Sequence, residues 1–415
     1  MTGTAVAAAE RELLRPEVEF YLDLHAHPEL SGAERRTAAR LAERLAAHGC
    51  EVTRGVGGHG VVGVLRSGRP GPTVLLRAEL DALPVAEETG LPYASTTPGA
   101  MHACGHDLHL AALTGAVGRL ARARERGAWG GTVVAVGQPA EETLEGAAAL
   151  LADGLYERFG VPDLVLAQHA APLPAGTVAH AVPGAPLMAA SVTLDVVVHG
   201  RGGHAGTPQF AVDPVVAAAA VVLRLQSVVA RETAPADQVV VTVGALHAGE
   251  RANVIPDRAE LSLSVRALGE ESLARAEAAV RRVVTAECAA SACPRDPEFT
   301  VTSRSPALVP DARATEAVRA THGKLFGPGR VAVTAPVTAT EDAGRFAEGG
   351  VPLAYWLLGT VGAKAWRRAL ADGGPPAPNH SPRFAPDVRT ALPTGIEALG
   401  AAALTALTEA KEPTK

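Results

Sequence analysis

The chain has 415 residues, which is longer than one hydrophobic core usually supports, so we expect two domains. Hydrophobic residues make up 47% and charged residues 20%, an ordinary globular mixture, and the formal net charge of -6 gives no electrostatic basis for binding nucleic acid. The longest apolar run, 215–223, stops at Arg224 and is too short to span a membrane. We therefore expect a small-molecule partner, with no nucleic acid and no membrane.

The cysteine content and the N-terminal segment bear on the cellular compartment. Four cysteines are too few for a disulfide framework in so long a chain. Residues 1–15 lack the basic start and apolar run of a signal peptide. The sequence therefore predicts a cytoplasmic protein.

In the first half of the chain, short apolar runs alternate with helical patterns. Leu41 and Leu45 lie at helical spacing within 34–48, where Gly49 supplies a stop, and 110–120 repeats leucine and valine at the same period. Such alternation predicts an α/β core with a mixed, largely parallel sheet flanked by helices. The predicted strands of this core are 61–65, 74–76, 133–136, 164–167 and 353–358.

From about Ser191 the pattern changes to that of a smaller α+β domain. Its predicted elements follow the order β-α-β-β-α-β, which is typical of a two-layer sandwich. They are 192–198, 213–229, 239–246, 259–265, 270–287 and 299–302. We expect this domain to be inserted into the first one, so that 1–186 and 306–415 form a catalytic domain and 187–305 forms a lid.

Ligand-type side chains lie just beyond three predicted strands and in a Pro-rich loop near the C-terminus. Imidazole, thiolate and carboxylate together bind transition metals, and the ligand crevice of an open parallel sheet lies outside the carboxyl ends of its strands. This arrangement predicts a metal-dependent hydrolase. The side chains concerned are Cys104, His106, Glu141, Glu142, His169 and His380.

Each stretch also has a simpler interpretation. Asp107 suits a helix N-cap, and His102 and His109 are more typical of packed or exposed histidines than of ligands. The pair 141–142 can complement a helix dipole, or it can stand in an extended segment with one carboxylate on the metal and the other toward the reacting water. The presence of four stretches with ligand-type side chains in one chain favours the metal site.

Asp81 and two glycine-rich stretches complete the motifs. Asp81 follows a predicted strand, where it can orient a ligating histidine or simply form a turn before Pro84. The stretches 55–60 and 200–205 match a dinucleotide fingerprint by letter but lack its strand-turn-helix context, so we interpret them as turns. No Gly-x-Ser-x-Gly segment supports a serine hydrolase.

These motifs, taken together and in order, resemble the dinuclear-metal amidohydrolase and metallopeptidase family that includes aminoacylases, hippurate hydrolase and hydrolases of indole-acetyl-amino-acid conjugates. The family has a catalytic domain with two metals and an inserted lid that commonly forms a homodimer. The matching stretches are 24–31, 77–84, 101–107, 139–142, 202–205, 253–257 and 379–382.

The resemblance implies a role for each motif residue. Glu141 is similar to the family's general acid/base, and His204 to a lid histidine that steadies the oxyanion, usually from the partner subunit. Asn253 and Arg266 are similar to lid residues that hold the substrate's amide and carboxylate. The resemblance also implies two divalent ions, of Zn, Mn, Co or Ni. Their implied ligands are Cys104, His106, Glu142, His169 and His380.

The implied reaction is hydrolysis of an N-acyl-amino acid at its amide, which releases a carboxylate and an amino acid. A dipeptidase or carboxypeptidase on the same scaffold is an alternative, and so is a catalytically silent binding protein. The chain departs from the family pattern at Glu79, where aspartate is usual, in 340–343, which lacks a phenylalanine, and in 167–169. We expect these departures to affect the choice of substrate.

Overall fold

The computed structural model describes residues 3–408, which divide into two compact units. Of the described residues, unit 1 comprises 3–185, Pro310–Ala335 and 345–408, and unit 2 comprises Pro186–Val309 and Pro336–Gly344. The predicted boundaries place 336–344 in the larger domain, whereas the structure groups this segment with the smaller unit.

Unit 1 alternates strands and helices along most of its length. Its helices are α1 (Gly3–Ala26), α2 (Arg35–Ala47), α3 (His106–Glu125), α4 (Gly146–Ala152), α5 (Leu155–Phe159), α8 (Ala312–Phe326), α9 (Ala363–Asp372) and α10 (Val388–Thr408). Its strands are β1 (Glu51–Val56), β2 (Gly60–Arg66), β3 (Thr73–Glu79), β4 (Thr132–Gln138), β5 (Leu164–Pro174), β6 (Val178–Ala181), β13 (Val331–Thr334) and β14 (Leu353–Val361).

Within the described residues these strands form one eight-stranded sheet in the order β1-β2-β4-β3-β5-β14-β6-β13. The central pairs β4/β3, β3/β5 and β5/β14 are parallel, and so is β6/β13. The pairs β1/β2, β2/β4 and β14/β6 are antiparallel. All five predicted strands lie inside observed ones, and the predicted mixed, largely parallel sheet is confirmed.

The centre of this sheet is buried on both faces. Every residue of β14 is buried, and so are six of the seven residues of β3 and of β4. Near-continuous apolar runs are what parallel strands covered by helices require. Helix α3, which packs against α10 and the sheet, is also buried almost all round. The predicted helical period at 110–120 lies within this helix, and α1, α2 and α10 contact it, which accounts for its burial.

Unit 2 is a two-layer sandwich whose elements follow the predicted β-α-β-β-α-β order. Among the described residues, its main sheet has four antiparallel strands in the order β12-β7-β11-β9, and β8 pairs with β10 in a separate ribbon. The helices of this unit are α6 (Pro214–Glu232) and α7 (Glu270–Ala290). Its strands are β7 (Ala190–His199), β8 (Gly203–His204), β9 (Val240–Ala248), β10 (Val254–Ile255), β11 (Arg258–Ala267) and β12 (Glu298–Ser305).

Two helices among the described residues, α6 and α10, are long and apolar enough to cross a membrane by length and composition. Helix α10 packs against α3 and the central strands, and α6 packs against α7 and the sheet of unit 2. Both are therefore core-forming helices of folded units, although α6 also carries exposed apolar side chains.

Candidate metal centre

The candidate site lies at the carboxyl ends of β3 and β4, beside the neighbouring parallel strand β5. Asp81 follows β3, Glu141 and Glu142 follow β4, and His169 belongs to β5. Because β3 pairs in parallel with both β4 and β5, the carboxyl ends of these strands meet at one edge of the sheet. The sheet topology thus brings together side chains that are up to 88 positions apart (169 − 81 = 88).

Cys104 and His106 enter this edge at the N-terminus of α3, which follows a loop, so the prediction that they lie just beyond a strand is wrong. Both side chains are buried, and Gly105 between them occupies the N-cap position with a φ of 88°. A Cβ on Gly105 would lie 2.8 Å from the Cβ of Ala170, so glycine is required both by the backbone conformation and by the close approach of β5. Asp107 lies in the first turn instead of at the N-cap, where the sequence had suggested it.

Asp81 fixes the orientation of the His106 ring. The Nδ1 atom of His106 lies 2.9 Å from the Asp81 carbonyl oxygen and 3.2 Å from Asp81 Oδ1. The same carboxylate accepts hydrogen bonds from the Ser31 hydroxyl at 2.7 Å and the Glu142 backbone N–H at 2.9 Å. Burial favours the neutral acid, but these partners, His106 first among them, lower the pKa of Asp81, so it stays ionised. With Nδ1 bonded in this way, His106 presents Nε2 to the cavity.

Glu141 and Glu142 lie in a tight turn. The Leu144 backbone N–H donates to the Glu141 carbonyl at 2.7 Å, and α4 begins only at Gly146. Both local predictions for this pair, an extended segment and a helix start, are therefore wrong. The two carboxylates also approach the same ring instead of pointing apart, because His106 Nε2 lies 3.7 Å from Glu141 Oε2 and 3.8 Å from Glu142 Oε1.

His169 and His380 reach the same cluster from β5 and from the C-terminal loop. His169 lies inside β5, which continues to Pro174, whereas the sequence predicted that it follows the strand. Its Nε2 is 3.4 Å from the Cys104 sulfur. His380 adopts a left-handed φ of 67°, and its Nε2 lies 3.4 Å from Glu142 Oε2.

The spacing of these donor atoms fits a divalent cation. Donors bound tetrahedrally at about 2.0 to 2.3 Å are separated by about 3.3 to 3.8 Å. The separations of 3.4, 3.7 and 3.8 Å that join Cys104 to His169 and His106 to the two glutamates fall in this range. Among the described residues, no hydrogen-bond partner meets the buried Nε2 of His106. A lone pair in that position is stabilised by a metal ion.

Groups of candidate ligand atoms overlap in this cluster. The atoms of Cys104, His106 and His169 lie within 4.8 Å of one another, and so do those of Cys104, Glu142 and His380. Burial, with Glu142 nearby, raises the pKa of the Cys104 thiol to about 12. A cation is therefore what favours its ionisation here, since thiolate and not thiol is the form that binds metals.

The neighbouring histidines have other roles. His102 is buried, and that burial lowers its pKa to about 4, as expected for a packed neutral ring. His25 Nδ1 lies 2.7 Å from Asp107 Oδ2, so the acid of the first turn belongs to a buried ion pair. His109 contacts Glu79 at 2.7 Å and the backbone N–H of Ala170 at 2.7 Å.

The predicted lid residues belong to unit 2. His204, on β8, is exposed, and its Nδ1 accepts from the Gly206 N–H at 2.9 Å. Asn253 precedes β10 and accepts through its carbonyl from the Ala205 N–H at 3.1 Å, so the ribbon brings it next to His204. Arg266, on β11, is half-buried and donates to the Thr338 carbonyl at 3.0 Å.

Two residues of recognised motifs, Asn379 and Ser31, make contacts at the site that were not assigned from the sequence. The Asn379 side-chain amide donates to the carbonyls of Cys104 at 3.2 Å and Ala170 at 3.0 Å. The hydroxyl of Ser31, a residue of the motif 24–31, donates a hydrogen bond to the Asp81 carboxylate. Their position beside motif histidines and acids could have indicated a role at the site. The partners of an amide or hydroxyl, however, cannot be read from the neighbouring sequence.

The unusual 340–343 segment lies in unit 2, where Glu341 and Asp342 are buried.

Comparison with known proteins identifies the family. The model of peptidase family M20/M25/M40 matches residues 75–405. The chain is 37% identical to hippurate hydrolase of Campylobacter jejuni over 328 residues, which cover 78% of this chain and 83% of that protein. It is 34% identical to thermostable carboxypeptidase 1 of Saccharolobus solfataricus over 374 residues, which cover 89% and 90% of the two chains.

The fold agrees with solved structures as well. The Bacillus subtilis YXEP protein, described as a dinuclear metal binding peptidase of the M20 family, superposes with a TM-score of 0.75 at 29% identity, covering 96% of this chain and 99% of that one. The predicted resemblance is confirmed, and the clustered donors place divalent metal in unit 1. This chain belongs to peptidase family M20/M25/M40 and is a metal-dependent amidohydrolase.

Proposed function

We propose that the protein hydrolyses the amide bond of N-acyl-amino acids and releases a carboxylate and an amino acid. The observation that carries this proposal is the convergence of the predicted ligand atoms around Glu141 at one edge of the unit 1 sheet. Two relatives indicate the substrate class: hippurate hydrolase by its name acts on an N-acyl-amino acid, and an N-acetyl-L-cysteine deacetylase of Bacillus subtilis is 35% identical over 345 residues.

We propose two divalent ions per chain, held by five side chains. Cys104 belongs to both groups of candidate ligand atoms, one with His106 and His169 and the other with Glu142 and His380, and these two groups would hold the ions. When bound, such ions polarise a carbonyl and make water more acidic. The proposed ligands are Cys104, His106, Glu142, His169 and His380.

Glu141 is the proposed general acid/base. Its carboxylate is buried and lies 3.7 Å from His106 Nε2, within the ligand cluster. A carboxylate held there takes a proton from the attacking water and returns it to the departing amine nitrogen, which leaves as a neutral amine. Asp81 is the proposed positioning residue, which holds the His106 ring through Nδ1.

The residues of unit 2 are assigned to substrate binding by the resemblance. We propose that His204 polarises the scissile carbonyl, that Asn253 binds the amide and that Arg266 binds the carboxylate. Burial lowers the pKa of Arg266 from its usual value, but a guanidinium remains charged. Arg266→Lys should raise KM for N-acyl-amino acids more than it lowers kcat, because the planar fork for the carboxylate is lost while the charge remains.

The exposed surface of unit 2 supports a homodimer formed through this unit. Helix α6 buries one face and presents Val216 and Leu223 on the other, at 64% and 76% exposure. Strand β9 is an edge strand of the sheet among the described residues, and Leu246 on it is 40% exposed. An apolar helix face beside an open strand edge matches the same surface of a second copy. Leu223→Asp should give a monomer in light scattering, whereas Leu370→Asp, at an exposed leucine of unit 1, should not.

Replacement of Glu141 tests the chemical assignment. Glu141→Gln should keep metal and substrate binding and lower turnover by about 10²-fold or more, since a positioned general base contributes that much. Glu145→Gln, in an exposed position four residues later, is the matched control and should keep its turnover. Near-normal turnover of Glu141→Gln would remove Glu141 from the proposed role.

Replacement of the ligands tests the metal assignment. Cys104→Ser and His380→Ala should lower the metal content found by elemental analysis, while Cys50→Ser, at a half-buried cysteine with no predicted ligand role, should not. Wild-type metal content in both ligand variants would overturn the assignment.

A substrate panel separates the proposed activity from its alternatives. Acetyl- and benzoyl-amino acids should be cleaved faster than dipeptides, and the reverse order would indicate the peptidase that the carboxypeptidase relative suggests. Hydrolysis that stops with a chelator and returns with Mn²⁺, Zn²⁺ or Co²⁺ would exclude a silent binding protein.

The four cysteines are unpaired, which supports the predicted cytoplasmic location.

A further inference from the structure

A chain of buried polar groups lies behind the metal centre in unit 1. Arg77 and Glu79, on β3, and His109, on α3, are each at most 1% exposed. The Arg77 guanidinium pairs with the Glu79 carboxylate and donates to Gln138 Oε1 at 2.9 Å. Burial alone would raise the pKa of Glu79, but Arg77 and His109 hold it well below its usual range. Glu79 is therefore a buried, ionised carboxylate with fixed partners.

The hydrogen bonds of His109 determine its tautomer. Its Nε2 lies 2.7 Å from the backbone nitrogen of Ala170, and a backbone N–H can only donate, so Nε2 carries a lone pair. Its Nδ1 lies 2.7 Å from Glu79 Oε2, and an ionised carboxylate can only accept, so Nδ1 carries the proton. Glu79 thus locks His109 as the neutral Nδ1–H form.

The backbone of Ala170 connects His109 to the metal centre, through its N–H on one side and its carbonyl on the other. Ala170 follows His169 in β5, and its carbonyl oxygen lies 2.8 Å from His169 Nδ1. The same oxygen accepts from the Asn379 side chain, which also donates to the carbonyl of Cys104. With Nδ1 of His169 donating, its Nε2 bears the lone pair, and this atom lies 3.4 Å from the Cys104 sulfur.

This geometry distinguishes a support from a third ligand group. Ligand-type atoms of Glu79, His106 and His109 also lie within 4.8 Å of one another. Both ring nitrogens of His109 are occupied, one by a carboxylate and the other by a peptide N–H, so neither offers a lone pair to a cation. His109 is accordingly a positioning residue and not a ligand.

We infer that Glu79 and His109 form a brace that positions His169 for metal binding by holding the backbone N–H of Ala170. The inference rests on the proposed assignment of His169 as a ligand. It also gives the unusual Glu79 a role, since one carboxylate contacts Arg77 through Oε1 and His109 through Oε2. Support of this kind typically contributes 10- to 100-fold to metal affinity.

The first test uses the metal-free protein, so it does not depend on what His169 binds. In ¹⁵N-histidine NMR spectra, His109 and His169 should each appear as neutral rings protonated at Nδ1, with assignments taken from the spectra of His109→Gln and His169→Gln. A His109 ring protonated at Nε2, or at both nitrogens near neutral pH, would overturn the brace even if His169 is a ligand.

The second test measures Co²⁺ affinity by absorption titration of His109 variants. His109→Leu leaves Glu79 Oε2 and the Ala170 N–H without their His109 partner, although Glu79 Oε1 keeps its pair with Arg77. The Co²⁺ affinity of this variant should fall 10- to 100-fold. His109→Gln places an oxygen where Nε2 accepts from Ala170 and should recover most of that loss. Wild-type Co²⁺ affinity in His109→Leu would contradict the positioning role. So would a Co²⁺ affinity of His109→Gln as low as that of His109→Leu.

Two further variants separate the possible outcomes. His322→Leu removes another buried histidine, on α8, and should keep Co²⁺ affinity while lowering stability, so it controls for general destabilisation. His169→Ala tests the ligand assignment itself, and unchanged affinity in that variant would reject the assignment while the NMR result still decides the brace. If His109→Leu does not fold, the tautomer of His109 in the wild-type NMR spectrum still decides whether the brace exists.

Discussion

Acidification should destabilise unit 1 through two histidines that are buried side by side. His180, on β6, and His322, on α8, place Nε2 and Nδ1 3.1 Å apart, and His322 Nε2 lies 3.0 Å from the Ala398 carbonyl. A carbonyl only accepts, so His322 donates from Nε2 and accepts from His180 at Nδ1. Both rings are therefore neutral in the folded chain, and His180→Gln tests the consequence.

The size of the effect follows from the pKa of each ring. Burial, then His322 and Arg319, lower the pKa of His180 from 6.5 to about 3, and burial lowers that of His322 from 6.5 to about 4. Below pH 6.5 the unfolded chain binds protons that the folded chain excludes, so stability is present above pH 6.5 and is lost as the pH falls. At about 1.4 kcal/mol per pH unit, each histidine costs about 2 kcal/mol between pH 6.5 and pH 5.

The assay is urea unfolding at pH 7 and pH 5, followed by circular dichroism. His180→Gln keeps an N–H for His322 Nδ1 but cannot take up a proton, so it should lose about 2 kcal/mol less than wild type on acidification. His247→Gln replaces an exposed histidine of β9 and should reproduce the wild-type pH dependence. Equal losses in wild type and His180→Gln would refute the reasoning.

Three other substitutions test the packing. Gly105→Ala should lower the free energy of unfolding by about 1 to 3 kcal/mol in urea and weaken Co²⁺ binding, because it strains a positive φ and meets Ala170; wild-type values for both would contradict this. Trp356→Ala should cost about 3 to 5 kcal/mol in the same assay, since the ring is fully buried, and a loss below about 1 kcal/mol would be inconsistent with that burial. Glu17→Gln should lower the free energy of unfolding by about 1 to 3 kcal/mol, because the buried carboxylate pairs with Arg44. A variant as stable as wild type at both low and high salt would argue against the pair.

Much of the site was predictable because its chemistry is written in short motifs. Glu141, Glu142 and His169 closely follow apolar runs, and the end of a buried strand is where an α/β sheet exposes side chains to ligands. The family resemblance added the roles of Glu141 and of the lid residues. None of these steps required knowing which strands are neighbours.

The local errors share one cause, which is that sequence patterns report on neighbours along the chain. His169 was placed after its strand because the apolar run ends at Ala167, yet β5 continues to Pro174 through pairing with β14. The Glu141 and Glu142 carboxylates face one histidine because a turn and a left-handed Ala140, with a φ of 50°, redirect the backbone. Tertiary contacts determine both features.

The sequence by itself determined the central strands, the donor set and the family, because hydrophobic periodicity and short motifs act over a few residues. The tertiary structure alone decided which groups meet: Glu79 with His109, and His109 with the Ala170 peptide beside His169. Such contacts depend on sheet order and helix placement, which are set by the packing of the whole unit and have no local signal in the chain.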